Sequence, residues 1–99
     1  MLDIIKELKD KELFVKLEGR LDTATAPGFE EALEEEFDKV EGLTIDMEKV
    51  DYISSAGLRV LLAAHKKMSP KEGMKVINVN ETIMEIFDIT GFSDILTIE

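Results

Sequence analysis

Along the segment ELFVKLEG, Leu13, Val15 and Leu17 alternate with Phe14, Lys16 and Glu18. A period of two places the first set on one side of an extended chain and the second on the other, as a half-buried antiparallel strand requires. The segment LDIIKEL lies just before it, across a polar turn at Lys9-Asp10-Lys11. The two segments predict an opening hairpin. The period then changes. In GRLDTATAPGFEEALEEEFDKV, Phe29, Leu33, Phe37 and Val40 recur at helical spacing, with Glu30, Glu31, Glu34, Glu35 and Glu36 covering the other side. Thr25 or a neighbour can cap this helix, and Pro27 suits its first turn, where a missing N–H costs nothing.

Extended character returns in GLTIDMEKVDYI, where Leu43, Ile45 and Met47 alternate with Thr44 and Asp46. A second helix is predicted from about Ala56 to Met68, with Leu58, Leu61 and Leu62 facing inward. Lys66 and Lys67 stand near its C-terminus, where the helix dipole favours cations. SPKEG reads as a loop. MKVINV has little polar content, which suits a strand inside a sheet. Asn80 caps a short helix carrying Ile83, Met84 and Phe87, closed by Gly91. Met84, Phe87 and Phe92 are expected in the core. SDILTIE can supply a last strand. The predicted order is β-β-α-β-α-β-α-β over residues 1–99. This is an α/β fold in one domain: a mixed sheet opened by an antiparallel hairpin, with helices packed mainly on one face.

Composition narrows the function classes. At 99 residues and 44 % hydrophobic, the chain is large enough for one core. Its 22 acidic and 12 basic residues give a formal net charge of −10. Such a surface repels both nucleic-acid backbone and anionic lipid, while a protein partner with a basic face remains compatible. The longest apolar run, Val60–Ala64, is far too short for a membrane span. The N-terminus lacks the apolar stretch of a signal peptide. With no cysteine, disulfides and thiolate metal sites are unavailable. The expectation is a cytoplasmic protein without membrane or direct nucleic-acid contact, and without metal or other cofactor.

Candidate chemistry centres on DYISSAGLRVLLAAHKK, where a strand hands over to a helix through two adjacent serines. A serine there is commonly an N-cap, stabilising by about 1 kcal/mol. One serine suffices to cap. The other, beside the small Ala56 and Gly57, stays reachable by another protein. A hydrolase nucleophile would need a base and an oxyanion hole. The chain's single histidine, His65, follows Ser55 on the same helix at about 15 Å, by the 1.5 Å rise per residue. The G-x-S-x-G elbow is absent, as are the Walker and G-x-G-x-x-G phosphate loops. His65 reads as a partly exposed helix residue. Gly19-Arg20-Leu21-Asp22-Thr23 ends a strand before a helix, and Asp22 or Thr23 can satisfy backbone N–H groups in that loop.

Three stretches, GRLDTATAPGFEEAL, IDMEKVDYISSAGLRVLLAA and IMEIFDITGFSDILTI, resemble in kind, order and spacing the STAS domain family, specifically its small stand-alone bacterial anti-sigma factor antagonists. The resemblance implies a non-enzymatic partner switch. The unphosphorylated protein would bind an anti-sigma factor that is also a serine kinase, releasing a sigma factor. Phosphorylation would end that complex, and a PP2C-type phosphatase would reset it. By the same resemblance the acceptor falls on Ser55, with Ser54 as the secondary candidate. Many members carry Asp-Ser-Ser/Thr-Gly-Leu where this chain has Ser54-Ser55-Ala56-Gly57-Leu58. Asp22 matches the family's loop aspartate near the acceptor. The implied partner surface comprises Asp22, Thr23, Ser54, Ser55, Ala56, Gly57 and Leu58, on a protein expected to be monomeric. An alternative within the same resemblance is a partner-switching module with a non-sigma output, such as a phosphatase, a cyclase or a signalling scaffold.

Overall fold

A computed structural model describes residues 2–99. Strand β1 (Leu2–Lys9) turns through Asp10-Lys11 into β2 (Glu12–Leu21), and the pairing closes at Lys9 opposite Glu12. Asp10 adopts a left-handed φ of 56°, a conformation that Asp tolerates better than most residues. Helix α1 (Ala26–Glu34) leads to the long β3 (Gly42–Ile53), and α2 (Ser55–Met68) leads to β4 (Gly73–Ile77). Helix α3 (Glu81–Thr90) and a short 3-10 turn (Phe92–Asp94) precede β5 (Thr97–Ile98). The sheet order is β1-β2-β3-β4-β5, with β1 antiparallel to β2 and the remaining neighbours parallel. Parallel neighbours need a crossover, and each helix supplies one.

The register sorts the side chains by face. Leu13, Leu43 and Met74 line up across three strands, as do Val15, Ile45 and Val76, and all six are buried beneath the helices. From the helices, Phe29, Leu33, Leu61, Ile83 and Phe87 complete that core. On the opposite face Phe14 is 43 % exposed and Ile5 51 % exposed, while Thr44, the β3 neighbour of Phe14, is buried. Helices therefore cover one face, as expected, and Phe87 is in the core with Met84 and Phe92 packed against it.

Four boundaries differ from expectation. Helix α1 ends at Glu34, so Phe37 and Val40 are buried from the following turn rather than from the helix. Acidic residues crowd its C-terminal end with no base in the helix's own last turn, which opposes the helix dipole, and it is Lys6 from β1 that pairs with Glu35 and Glu36 and donates to the Ala32 carbonyl there. The Lys71 ammonium then donates to the Phe37 and Val40 carbonyls left without helical partners. Helix α2 starts at Ser55, one residue earlier than read, because Ser54 takes the cap position. Leu62 is only half-buried, and Val60 and Ala64 share the inward face instead. Strand β4 stops at Ile77, because Asn78 has a left-handed φ of 56°. The last strand shrinks to two residues, since Phe92–Asp94 forms its own turn. No helix among the described residues is long and apolar enough to cross a membrane.

Candidate functional site

Ser54 and Leu21 bring the two loops of interest together. The Ser54 N–H donates to the Leu21 carbonyl at 2.9 Å, extending the β2–β3 pairing by one bond beyond Leu21–Ile53. The loop after β2 and the start of α2 therefore share one end of the sheet, although they are remote in sequence. Gly57 makes the approach possible. A Cβ there would lie 2.7 Å from Leu21 Cγ and 2.9 Å from the Leu21 carbonyl oxygen, closer than real Cβ contacts. Leu58 is buried beneath the turn, and Ala56 is half-buried.

The two serines do different things. Ser54 has extended backbone (φ −92°, ψ 174°), and its Oγ accepts from the Gly57 N–H at 3.4 Å. Its carbonyl accepts from the Leu58 N–H at 3.0 Å, the first bond of the helix. That is an N-cap. Ser55 is the first helical residue, is exposed, and its hydroxyl has no protein partner among the described hydrogen bonds. Helix geometry thus ties one hydroxyl and leaves the other presented to solvent.

Asp22 organises the facing loop. Its Oδ1 accepts from the Ala24 N–H at 3.0 Å and the Thr25 N–H at 3.1 Å. The Thr25 hydroxyl donates to the Arg20 carbonyl at 2.8 Å and accepts from the Asp22 N–H at 2.9 Å. Thr25 stands at the N-terminal boundary of α1 without a side-chain cap bond, so Asp22, not Thr25, serves the free amides there. Thr23 is exposed and takes no part in this network. The Thr25 N–H holds the Asp22 carboxyl below its ordinary pKa, against opposition from partial desolvation; the Thr25 hydroxyl, the Ala24 N–H and Arg20 add to the lowering.

A basic and an aromatic residue, assigned no role from the sequence although both of their stretches were singled out there, complete this end of the sheet. Arg20 and Tyr52 are register partners on β2 and β3. The guanidinium carbon lies 4.6 Å from the Tyr52 ring centroid, and Arg20 Nε lies 3.5 Å from Asp22 Oδ2. Only the strand register could have revealed the pair. His65 is half-buried in the last turns of α2, ten positions from Ser55, with a buried Nδ1 that has no partner. It lines a cleft of about 490 Å³ at the other end of the sheet, with Glu12, Gly42, Lys71 and Gly73. None of the residues from Ser54 to Leu58 reaches that cleft.

The five-stranded mixed sheet with three crossover helices agrees with known proteins. The STAS domain profile matches residues 3–99. The chain belongs to the STAS domain family. The STAS chain is 35 % identical over 98 residues to the anti-sigma-B factor antagonist of Listeria monocytogenes, covering 96 % of this chain and 85 % of that protein. An anti-sigma factor antagonist from Mycobacterium paratuberculosis superposes with a TM-score of 0.89 at 25 % identity, over 99 % of this chain and 85 % of the other. SpoIIAA of Bacillus shares the fold at 15 % identity. Its unphosphorylated form gives a TM-score of 0.83 over 98 % of this chain and 88 % of its own, and its phosphorylated form 0.77 over 98 % and 91 %.

Proposed function

We propose that this STAS protein is an anti-sigma factor antagonist whose partner-binding surface is switched by phosphorylation of Ser55. The carrying observation is the division of labour between the serines: Ser54 Oγ caps α2 while Ser55 Oγ is exposed and unbonded. The relatives' names supply the class of partner, an anti-sigma factor; that it is also a serine kinase is what the family resemblance implies. The surface it would meet consists of Asp22 and Thr23 on one loop and Ser54, Ser55 and Ala56 on the other, while Gly57 and Leu58, also expected there, are buried and support it from beneath. The small side chain of the half-buried Ala56 leaves little bulk beside Ser55, so a partner can come close to that hydroxyl.

In the switching step, Ser55 Oγ attacks the γ-phosphorus of ATP held by the kinase. An O–P bond forms, the bond from that phosphorus to the ADP oxygen breaks, and the hydroxyl proton passes to a base on the kinase. A PP2C-type phosphatase reverses the change with water, returning the hydroxyl and inorganic phosphate. The modification adds about −1.5 to −2 charge at neutral pH. At the first residue of α2 that charge meets the positive end of the helix, so the helix tolerates it. A partner docked on the same surface meets new bulk and new negative charge beside the ionised Asp22. Binding is lost locally, without refolding. The antagonist itself is substrate and ligand rather than catalyst.

The test is intact-mass and peptide mass spectrometry after incubation with ATP and an anti-sigma serine kinase from the same cell. One phosphate is expected on Ser55, absent in Ser55→Ala and retained in Ser54→Ala. A phosphate on Ser54, or none on either serine, overturns the assignment.

A further inference from the structure

The chain contains only two arginines, Arg20 and Arg59. Arg20 is committed to Asp22 and to the Tyr52 ring. Arg59 is exposed on α2, and no carboxylate pairs with it among the described ion pairs. Its helical neighbours at i−4, i−3, i+3 and i+4 are Ser55, Ala56, Leu62 and Ala63, none of them acidic. In a chain of net charge −10 an exposed guanidinium with neither an ion-pair partner among the described residues nor an acidic neighbour one turn away on its helix stands out. Side chains on a helix lean toward its N-terminus and onto the turn before them, so Arg59 leans toward Ser55. Residues four apart on a helix face each other, and the favourable order places the anion N-terminal to the cation. Ser55 and Arg59 have that spacing and that order.

We infer that Arg59 is the intramolecular counter-ion of a phosphate on Ser55. This rests on the switch proposed above and assigns the residue that reads it. Unphosphorylated, the guanidinium is free to meet an acceptor on the partner. Phosphorylated, it donates to the phosphate oxygens one turn away, and planar guanidinium is well matched to phosphate. The modification then does two things at once: it adds an anion and withdraws the uncommitted arginine from the surface.

Phosphoserine incorporated at position 55 during translation tests this without any kinase, so failure here is distinct from failure of the switch itself. The phosphate's second ionisation is followed by phosphorus NMR in the otherwise unaltered chain and in Arg59→Ala, Arg59→Lys and Lys66→Ala backgrounds, at low salt. The helix N-terminus acts equally in all four. The Arg59-containing protein is expected to titrate about 0.3 unit below Arg59→Ala. Arg59→Lys should recover part of that difference, and Lys66→Ala should leave it in place. Coincident curves with and without Arg59, or an equal shift on removing Lys66, would overturn the inference.

Discussion

Ser54 and Ser55 differ in one geometric respect. The capping residue still has extended backbone, so its side chain can turn back onto the amide three residues ahead, as Ser54 does with Gly57. Once the backbone is helical, as at Ser55, the side chain projects outward. The two hydroxyls should therefore separate stability from signalling. Ser54→Ala is expected to cost about 1 kcal/mol in chemical denaturation, the usual value of a lost N-cap. Ser55→Ala should stay within about 0.5 kcal/mol, as for an exposed position without partners. Equal costs at both serines would mean that Ser55 shares the capping. The chain's departure from the frequent Asp at position 54 follows the same logic, since Ser and Asp cap about equally well.

At the scale of elements, the loop from β2 to α1 depends on one carboxylate. Asp22 accepts two backbone amides, and its pKa is lowered chiefly by the Thr25 N–H. A carboxyl whose folded pKa is depressed stabilises the fold above its unfolded value of 3.8 and loses that contribution as pH falls through the lower folded value. Hydrogen exchange at Ala24 and Thr25 should accordingly become faster, relative to the rest of the chain, only below the ordinary carboxylate range. In Asp22→Asn, which keeps an acceptor oxygen but no titrating charge, that acid-dependent loosening should vanish. If it persists in Asp22→Asn, another group controls the loop. The early end of α1 belongs to this scale too. Its apolar stripe predicts burial of Phe37 and Val40 correctly, yet periodicity alone does not say where the backbone leaves the helix. Crowded glutamates at the C-terminal end and Lys71, contributed from beyond α2, decide that.

For the molecule as a whole, Ser55 stands at the edge of the structure, apart from most of the core. Ser55 and Asp22 stand at one end, while the cleft containing His65 lies at the other. A phosphate at Ser55 adds to a surface already at −10, but it does so outside the packed layer of Leu13, Ile45, Leu61 and Val76. Amide chemical-shift changes on phosphorylation should cluster at 20–25 and 52–60 and leave β1 and α3 near their original positions. Changes spread through Ile4, Val76 and Phe87 would instead indicate a rearranged core, and the local mechanism would fail.

Much of this was legible in the order of residues. The hairpin, the three crossover helices, the inward rows of β2 and β3 and the capping role of Asn80 follow from period, caps and breakers, because those signals act between residues close in the chain. The serine pair and Asp22 were legible as types of residue in the right local settings. Their neighbourhood was not, since it depends on the parallel pairing of β2 with β3 and on a hydrogen bond from Ser54 to Leu21. Arg20 stacked on Tyr52 is invisible for the same reason: the contact exists only once two strands adopt a register. The sequence by itself determined which segments would be strands and helices, which faces would be buried, and that a serine would stand at the start of α2. Tertiary structure decided what lies beside the free serine and where α1 stops, because those outcomes depend on groups brought together by packing rather than by the chain.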